Sequence, residues 1–316
     1  MSGESRVSFR ASVSDSRQGR DSVVRIAKDN PPMISWETAP AFDLARDPPA
    51  SLAETFARIA LAAGPAVMEE YARDTAARAK SDGSPVTMAD ERAEAIIRDA
   101  LRRTTTPVPI VAEEATAAGE TIVVGERFVL VDPLDGTREF VARNGEFTIN
   151  IGLIENGAPV AGAVYAPALG RLWFGGAGQS FVCAAQPGCD LPPRAEWRPI
   201  RARPAPPALV ALASRSHGDP ATEAFLARLP IGERRSAGSS LKFCVIAEGE
   251  GDVYPRFAPT MEWDTAAGDA VLRAAGGVVV AVEGGPLAYG KIGAQLRNGG
   301  FVACGDPGLS AHATHR

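Results

Sequence analysis

Histidine is scarce in this chain: its 316 residues hold three, two of them among the last five. The four cysteines, Cys183, Cys189, Cys244 and Cys304, have no C-x-x-C spacing and no companion histidine at zinc-finger distance, which argues against a zinc site. Free thiols in a reducing cytoplasm are the economical reading. No apolar run nears the ~20 residues that a membrane-spanning helix needs. Neither sign of charge dominates, with 33 Lys and Arg against 38 Asp and Glu and a formal net charge of -5. That balance argues against a nucleic-acid polymer as partner and leaves room for a small anion held by a metal and local dipoles. No internal repeat is present. The candidate chemistry rests on carboxylates.

What is present is the composition of a soluble globular protein, 45% hydrophobic and 22% charged, at a length that allows one large or two medium domains. Residues 1–49 stand apart: they are rich in Ser and Arg, lack aliphatic periodicity and end in Pro48-Pro49. Glu4, Asp15, Asp21 and Asp29 count against a transit peptide. The segment reads as a disordered extension, or as sequence ahead of a start at Met33. Order is expected from Ser51, whose spacing with Glu54 reads as a capping box, and a second helix is expected from Thr87. Short strands at 108–112 and 127–131, a hairpin turning at Asn156-Gly157 and a second hairpin ending at 182 predict a helix pair against a mostly antiparallel sheet over residues 50–192. A linker rich in Pro and Arg then opens an alternating α/β half over 193–306, with 307–316 as a tail.

The run Asp132-Pro133-Leu134-Asp135-Gly136-Thr137 leaves the apolar stretch Phe128–Val131, a buried strand. Two carboxylates on such a turn can converge on one hard cation, and Gly136 and Thr137 offer N–H groups and a hydroxyl to an anion. Asp-Gly-Thr alone reads equally well as an ordinary turn. Asp82 and Asp90 flank a helix start, Glu113-Glu114 leaves the strand ending at Ala112, and Asp264 opens an Ala-rich helix. Each has a plain alternative: capping for Asp90 and Asp264, a solvated pair for the glutamates. Lys242 lies near a helix N-terminus, where the dipole gains nothing from a cation. It reads either as a group facing an anion or as the partner of a surface acid.

Together, over residues 51–304, these stretches resemble the lithium-sensitive, Mg²⁺-dependent phosphomonoesterases related to inositol monophosphatase and fructose-1,6-bisphosphatase. The pairing of Asp132–Thr137 with Trp263-Asp264-Thr265-Ala266-Ala267-Gly268 carries the likeness. Arg138-Glu139-Phe140, Arg143 to Ile151, Ser214 to His217, Gly238 to Cys244 and Tyr254 to Thr260 resemble the bacterial 3′(2′),5′-bisphosphate nucleotidase branch. The resemblance implies the layered αβαβα sugar-phosphatase fold. It implies two or three Mg²⁺ ions held by Glu113, Asp132, the carbonyl of Leu134, Asp135 and Asp264, with Asp82 acting through water. Thr137, bonded to Asp90, would align and deprotonate the attacking water, and Gly136 and Thr137 N–H groups would cradle the phosphate between those ligands.

The activity implied is hydrolysis of 3′-phosphoadenosine 5′-phosphate to AMP and phosphate, with 3′-phosphoadenylyl sulfate as a second substrate, in sulfate assimilation. A bisphosphate needs a second counter-charge away from the metals. Lys242 beside Ser239 and Ser240, helped by Arg256, is the candidate. Hydrolysis of an inositol or sugar phosphate is the alternative within the family, and a metal-dependent binding protein without turnover is the alternative outside it. A cytoplasmic location is expected, with peripheral attachment to the inner face of the membrane left open.

Overall fold

The computed structural model describes residues 5–6, 41–73, 78–79, 85–213 and 220–312. After β1 (Ser5–Arg6) come α1 (Pro49–Arg73), the two-residue pair β2 (Arg78–Ala79) and β3 (Pro85–Val86), and α2 (Met88–Leu101). Then follow β4 (Ile110–Ala112), α3 (Glu113–Ala117), β5 (Arg127–Asp135), α4 (Thr137–Val141), β6 (Thr148–Glu155), β7 (Ala158–Ala166), β8 (Arg171–Gly176), β9 (Gln179–Ala184) and β10 (Arg198–Pro199). The second half runs β11 (Leu209–Ala213), α5 (Pro220–Leu226), β12 (Ile231–Ser236), α6 (Leu241–Ala247), β13 (Val253–Arg256), β14 (Thr260–Met261), α7 (Trp263–Ala274), β15 (Val278–Ala281), β16 (Arg297–Asn298) and β17 (Phe301–Cys304).

The first seven-stranded sheet has the order β10-β9-β8-β7-β6-β5-β4, antiparallel throughout except that β4 runs parallel to β5. Its hairpins close where the sequence places φ > 0: Asn156 at 50° and Gly157 at 75°, then Ala177 at 52° and Gly178 at 74°. The second hairpin thus turns on Ala177-Gly178, and Gly175 and Gly176 belong to β8. The second sheet has the order β1-β12-β11-β13-β17-β15. It is parallel across β12, β11 and β13, with β17 antiparallel to both neighbours.

Helices and sheets alternate in layers, and the cores show it. Leu52, Phe56 and Ile59 of α1 and Ala93 and Ile97 of α2 pack with Val129, Val131 and Ile151 on one face of the first sheet. Leu130, Val164 and Trp173 on its other face pack with Phe243 and Ile246 of α6 and Val271 of α7, which also meet Phe301 of the second sheet. Phe225 and Leu226 of α5 cover the far face of that sheet. The order is therefore αβαβα, as expected. α7 lies directly on the first sheet because Gly162 gives way: an added Cβ would stand 2.6 Å from the carbonyl oxygen of Ala267.

Two local expectations fail. The helix begins at Pro49, a favoured first helical residue, so Ser51 lies inside it and no capping box forms with Glu54. The folded part also begins earlier than residue 50, since Phe42 and Leu44 are buried in the first core and Leu44 N–H donates to Thr104 Oγ1 at 2.8 Å. Among the described residues no helix is long and apolar enough to cross a membrane.

Candidate active site

Strand parity is the first obstacle to the expected cluster. Asp132 and Asp135 are three apart, so in a regular strand they would point to opposite faces. In β5 they do not. Asp132 pairs with Asn150 and Asp135 with Thr148, three steps on one strand against two on the other, with the register broken between them. That β-bulge at Pro133-Leu134 adds one residue and returns both aspartates to one face. Proline lacks a ladder donor and fits there, and Leu134 N–H donates to Asp132 Oδ1 at 3.0 Å. The face is the one that looks toward α7, because Gly152, two residues beyond Asn150 on β6, packs against Ala266 and Ala267.

Gly136 follows with φ 90° and turns the chain into α4. A side chain there would collide with Ser239 Oγ and crowd the carbonyl of Glu146. Thr137, first in α4, sets its Oγ1 3.3 Å from the carbonyl of Leu134 and 3.5 Å from Asp90 Oδ1, so its one proton can go to either. Asp90 is also a helix cap. Its Oδ2 accepts from Thr87 N–H at 2.7 Å and Thr87 Oγ1 at 2.8 Å, completing a capping box. The cap therefore uses Oδ2 of Asp90, and Oδ1 is the oxygen that faces Thr137.

Glu113 opens α3 at the end of β4, beside the end of β5. α3 has no side-chain cap of its own. Glu94, one turn beyond Asp90 on α2, supplies it by accepting from Glu114 N–H at 2.6 Å and Ala115 N–H at 2.9 Å. Asp264 arrives from the second half, in the first turn of α7, and its Oδ2 accepts from Met261 N–H at 3.0 Å. Asp135 Oδ2 accepts from Ser240 N–H at 2.7 Å. A pattern emerges: Asp90, Asp132, Asp135 and Asp264 each give one oxygen to a backbone N–H. Such contacts fix carboxylate orientation, as the outer shell of a metal site does.

Electrostatics point the same way. Asp132 is 1% exposed, and burial first, then Glu113, Asp135 and Asp264, push its carboxyl well above 3.8. Asp264 is pushed up by burial, then by Asp135 and Glu113. Asp135 is raised by burial but eased by Lys242 and by its bonds from Ser240. A cation placed among carboxylates that burden one another in this way would offset their repulsion. Among the described residues no group of three or more His, Cys, Asp or Glu side chains is gathered tightly enough to hold a metal ion alone. Mg²⁺ does not ask for that, since it is held by one or two carboxylates completed by water, carbonyl and substrate phosphate. The all-oxygen donor set therefore fits a hard cation. Asp82 lies outside the described residues.

The second half contributes a cationic flank. Lys242 is 4% exposed, and its ammonium donates to the carbonyls of Ala237 at 3.1 Å and Ser239 at 2.6 Å. It does not pair with a surface acid; that alternative is overturned by its burial. Two of its three donors hold the loop, and the ammonium also lies over the Tyr254 ring, 5.1 Å from its centroid. Burial pulls its pKa down to about 8, against the pull of Asp135. Arg256, on β13, donates through Nε to the carbonyl of Ala258 at 3.3 Å and offsets the raised carboxyl of Asp264.

Ser239 was expected only as a neighbour of Lys242; at φ 48° its Oγ lies 2.8 Å from the carbonyls of both Asp135 and Glu146, and its one proton can go to either. Three contributors escaped the sequence reading. Glu146, which accepts from Gly238 N–H at 2.8 Å, leaves no spacing signal. Thr148 and Asn150 do: they are polar residues at alternate positions of an otherwise apolar buried strand.

A model of the inositol monophosphatase family matches residues 49–307. A protein of Escherichia coli (strain K12) named 3′(2′),5′-bisphosphate nucleotidase CysQ is 43% identical over 234 residues, which cover 73% of this chain and 91% of that protein. Of solved structures, CysQ from Bacteroides thetaiotaomicron, described as a bacterial member of the inositol monophosphatase family, matches with a TM-score of 0.67 and 38% identity over 81% of this chain and 97% of that one. Inositol monophosphatase from Anabaena (Nostoc) matches with a TM-score of 0.64 and 26% identity over 83% of this chain and 94% of that one. The chain belongs to the inositol monophosphatase family.

Proposed function

We propose that this enzyme is a Mg²⁺-dependent 3′(2′),5′-bisphosphate nucleotidase that hydrolyses 3′-phosphoadenosine 5′-phosphate to AMP and phosphate, and 3′-phosphoadenylyl sulfate as a second substrate. The observation that carries the chemistry is that buried and half-buried carboxylates from both halves act on one another, with Thr137 at their edge. The nucleotidase-named relatives support the substrate class, and the family is a metal-dependent one.

Glu113, Asp132, Asp135 and Asp264, with the carbonyl of Leu134, would hold the ions; two or three is the expected number. Bound Mg²⁺ supplies neutralisation of phosphoryl charge and a lowered pKa for water. The chain does the rest. Thr137 gives its proton to Asp90 or to the Leu134 carbonyl, so its oxygen lone pairs accept from a water and orient it toward phosphorus. Attack by the water oxygen forms one P–O bond as the ester P–O bond breaks; the water releases one proton and the departing 3′ oxygen takes one up, so the products are phosphate and a 3′-hydroxyl. The second phosphate would meet Arg256 and the remaining donor of Lys242. Those two cations are what favours this reading over an inositol or sugar phosphate.

Phosphate release from adenosine 3′,5′-bisphosphate and from inositol 1-phosphate, each with Mg²⁺ and with chelator, tests the proposal. The bisphosphate with Mg²⁺ should be the preferred pair. A preference for inositol 1-phosphate would transfer the activity to that branch, and turnover of neither would leave a binding protein.

A further inference from the structure

Asn150 is a buried amide at the seam of the two halves. It sits on β6 opposite Asp132 and is 1% exposed. Its Nδ2 donates to Asp135 Oδ2 at 3.3 Å and to Ser240 Oγ at 3.0 Å. Ser240 Oγ then donates to the carbonyl of Asp264 at 2.8 Å. One side chain therefore connects a carboxylate of the first half to the backbone that carries an acid of the second. The orientation of the amide is fixed, because the flipped form would set its oxygen against a carboxylate.

The other end of the amide is revealing. Asn150 Oδ1 is buried and has no hydrogen-bond partner. An unpaired buried acceptor is destabilising, and an apolar side chain of similar size would avoid that penalty. The strand keeps the amide nonetheless, so its value lies at the donor end. There, Asn150 and Ser240 N–H together occupy Oδ2 of Asp135. That leaves Oδ1 as the oxygen to offer a cation.

We propose that Asn150 is a positioning residue of the acidic centre: it fixes which oxygen of Asp135 faces the cation and registers that ligand with the Ser240–Asp264 segment. The inference rests on the metal reading above. Mg²⁺ titrated calorimetrically into substrate-free wild type, Asn150→Ala, Asn150→Leu, Ser240→Ala and the Asn150→Ala/Ser240→Ala double variant tests it, with melting in chelator measured alongside.

Both Asn150 variants should bind Mg²⁺ about tenfold more weakly or worse, as loss of an outer-shell partner does. Asn150→Leu, which fills the space and removes the orphan oxygen, should melt in chelator no lower than wild type. The double variant should lose little more than the weaker-binding single one, because both act through one connection. Wild-type Mg²⁺ affinity in either folded Asn150 variant would overturn the proposal, as would additive losses in the double variant. Failure of both Asn150 variants to fold in chelator would make Asn150 a core residue only. A wild type that binds no Mg²⁺ would remove the metal reading itself and this inference with it.

Discussion

Helix α7 carries two aspartates five residues apart, Asp264 half-buried and Asp269 buried, and their surroundings are opposite. Asp269 is fully buried but satisfied: Arg273 donates Nε to Oδ1 at 2.6 Å and Nη2 to Oδ2 at 3.2 Å, and Tyr289 adds a bond to Oδ2 at 3.0 Å. Asp264 has one backbone donor, and its charged neighbours include Asp135 and Glu113. Burial raises both carboxyls first. At Asp269 the guanidinium then pulls back, whereas at Asp264 the other acids push further. Burial alone therefore does not mark a functional acid; burial among like charges does. On that contrast we assign Asp269 to the fold and propose Asp264 for the chemistry.

The comparison breaks most sharply on exchange of roles. Asp264→Asn and Asp135→Asn should each lower kcat by at least about a hundredfold with the fold intact, because each removes charge that offsets the cation. Asp269→Ala should instead leave Arg273 partly buried without its partner and cost roughly 3–5 kcal/mol in denaturant unfolding, while Mg²⁺ affinity stays near wild type. Near-normal turnover in Asp264→Asn would reverse the assignment. Thr137→Ala should lose about a hundredfold in kcat and retain calorimetric Mg²⁺ binding, since it orients water and holds no ion.

The cationic flank sharpens the picture further. Arg256→Ala should reduce kcat/KM for adenosine 3′,5′-bisphosphate by about tenfold to a hundredfold, the worth of one charged hydrogen bond, and barely touch 3′-AMP. Lys242→Ala should impair both substrates, more strongly the bisphosphate, because its ammonium also holds the Ala237 and Ser239 carbonyls. Equal losses on both substrates for Arg256→Ala would place the second phosphate elsewhere.

The smallest effect concerns stability without metal. Asp264 titrates well above 3.8 in the folded chain, so the native state holds a proton that the unfolded state has released. Its contribution favours folding at low pH and is lost as pH rises from the unfolded value through the raised one. In chelator near neutral pH, Asp264→Asn should therefore melt higher than wild type, by ~1–2 °C for each kcal/mol of repulsion removed. Melting curves in chelator check this, and a lower melting point would mean that Asp264 stabilises the fold as Asp269 does.

Much of this site was legible in the chain, and the limits are physical. The apolar run before Asp132 marks the strand, and the Gly136-Thr137 turn marks its exit, because local sequence dictates both. The bulge did not show: the strand was expected to end at Val131 with both aspartates on the turn beyond it, whereas β5 runs on to Asp135 and the bulge is what brings them to one face. Lys242 was flagged by its poor fit to a helix dipole, but its carbonyl partners depend on how the 237–240 loop folds back. Strand β12, Ile231–Ser236, was missed because its sequence is polar and reads as loop. Ser239 and Glu146 act through long-range contacts that no spacing encodes.

The central claim is that the carboxylates of both halves form one centre that a divalent cation must complete. Phosphate release from adenosine 3′,5′-bisphosphate, measured in chelator and after stepwise return of Mg²⁺, tests it most directly. The account predicts no turnover in chelator, recovery with Mg²⁺, and loss again when Li⁺ or excess Ca²⁺ is added, since Ca²⁺ takes a longer and looser oxygen shell. Full turnover in chelator would contradict it.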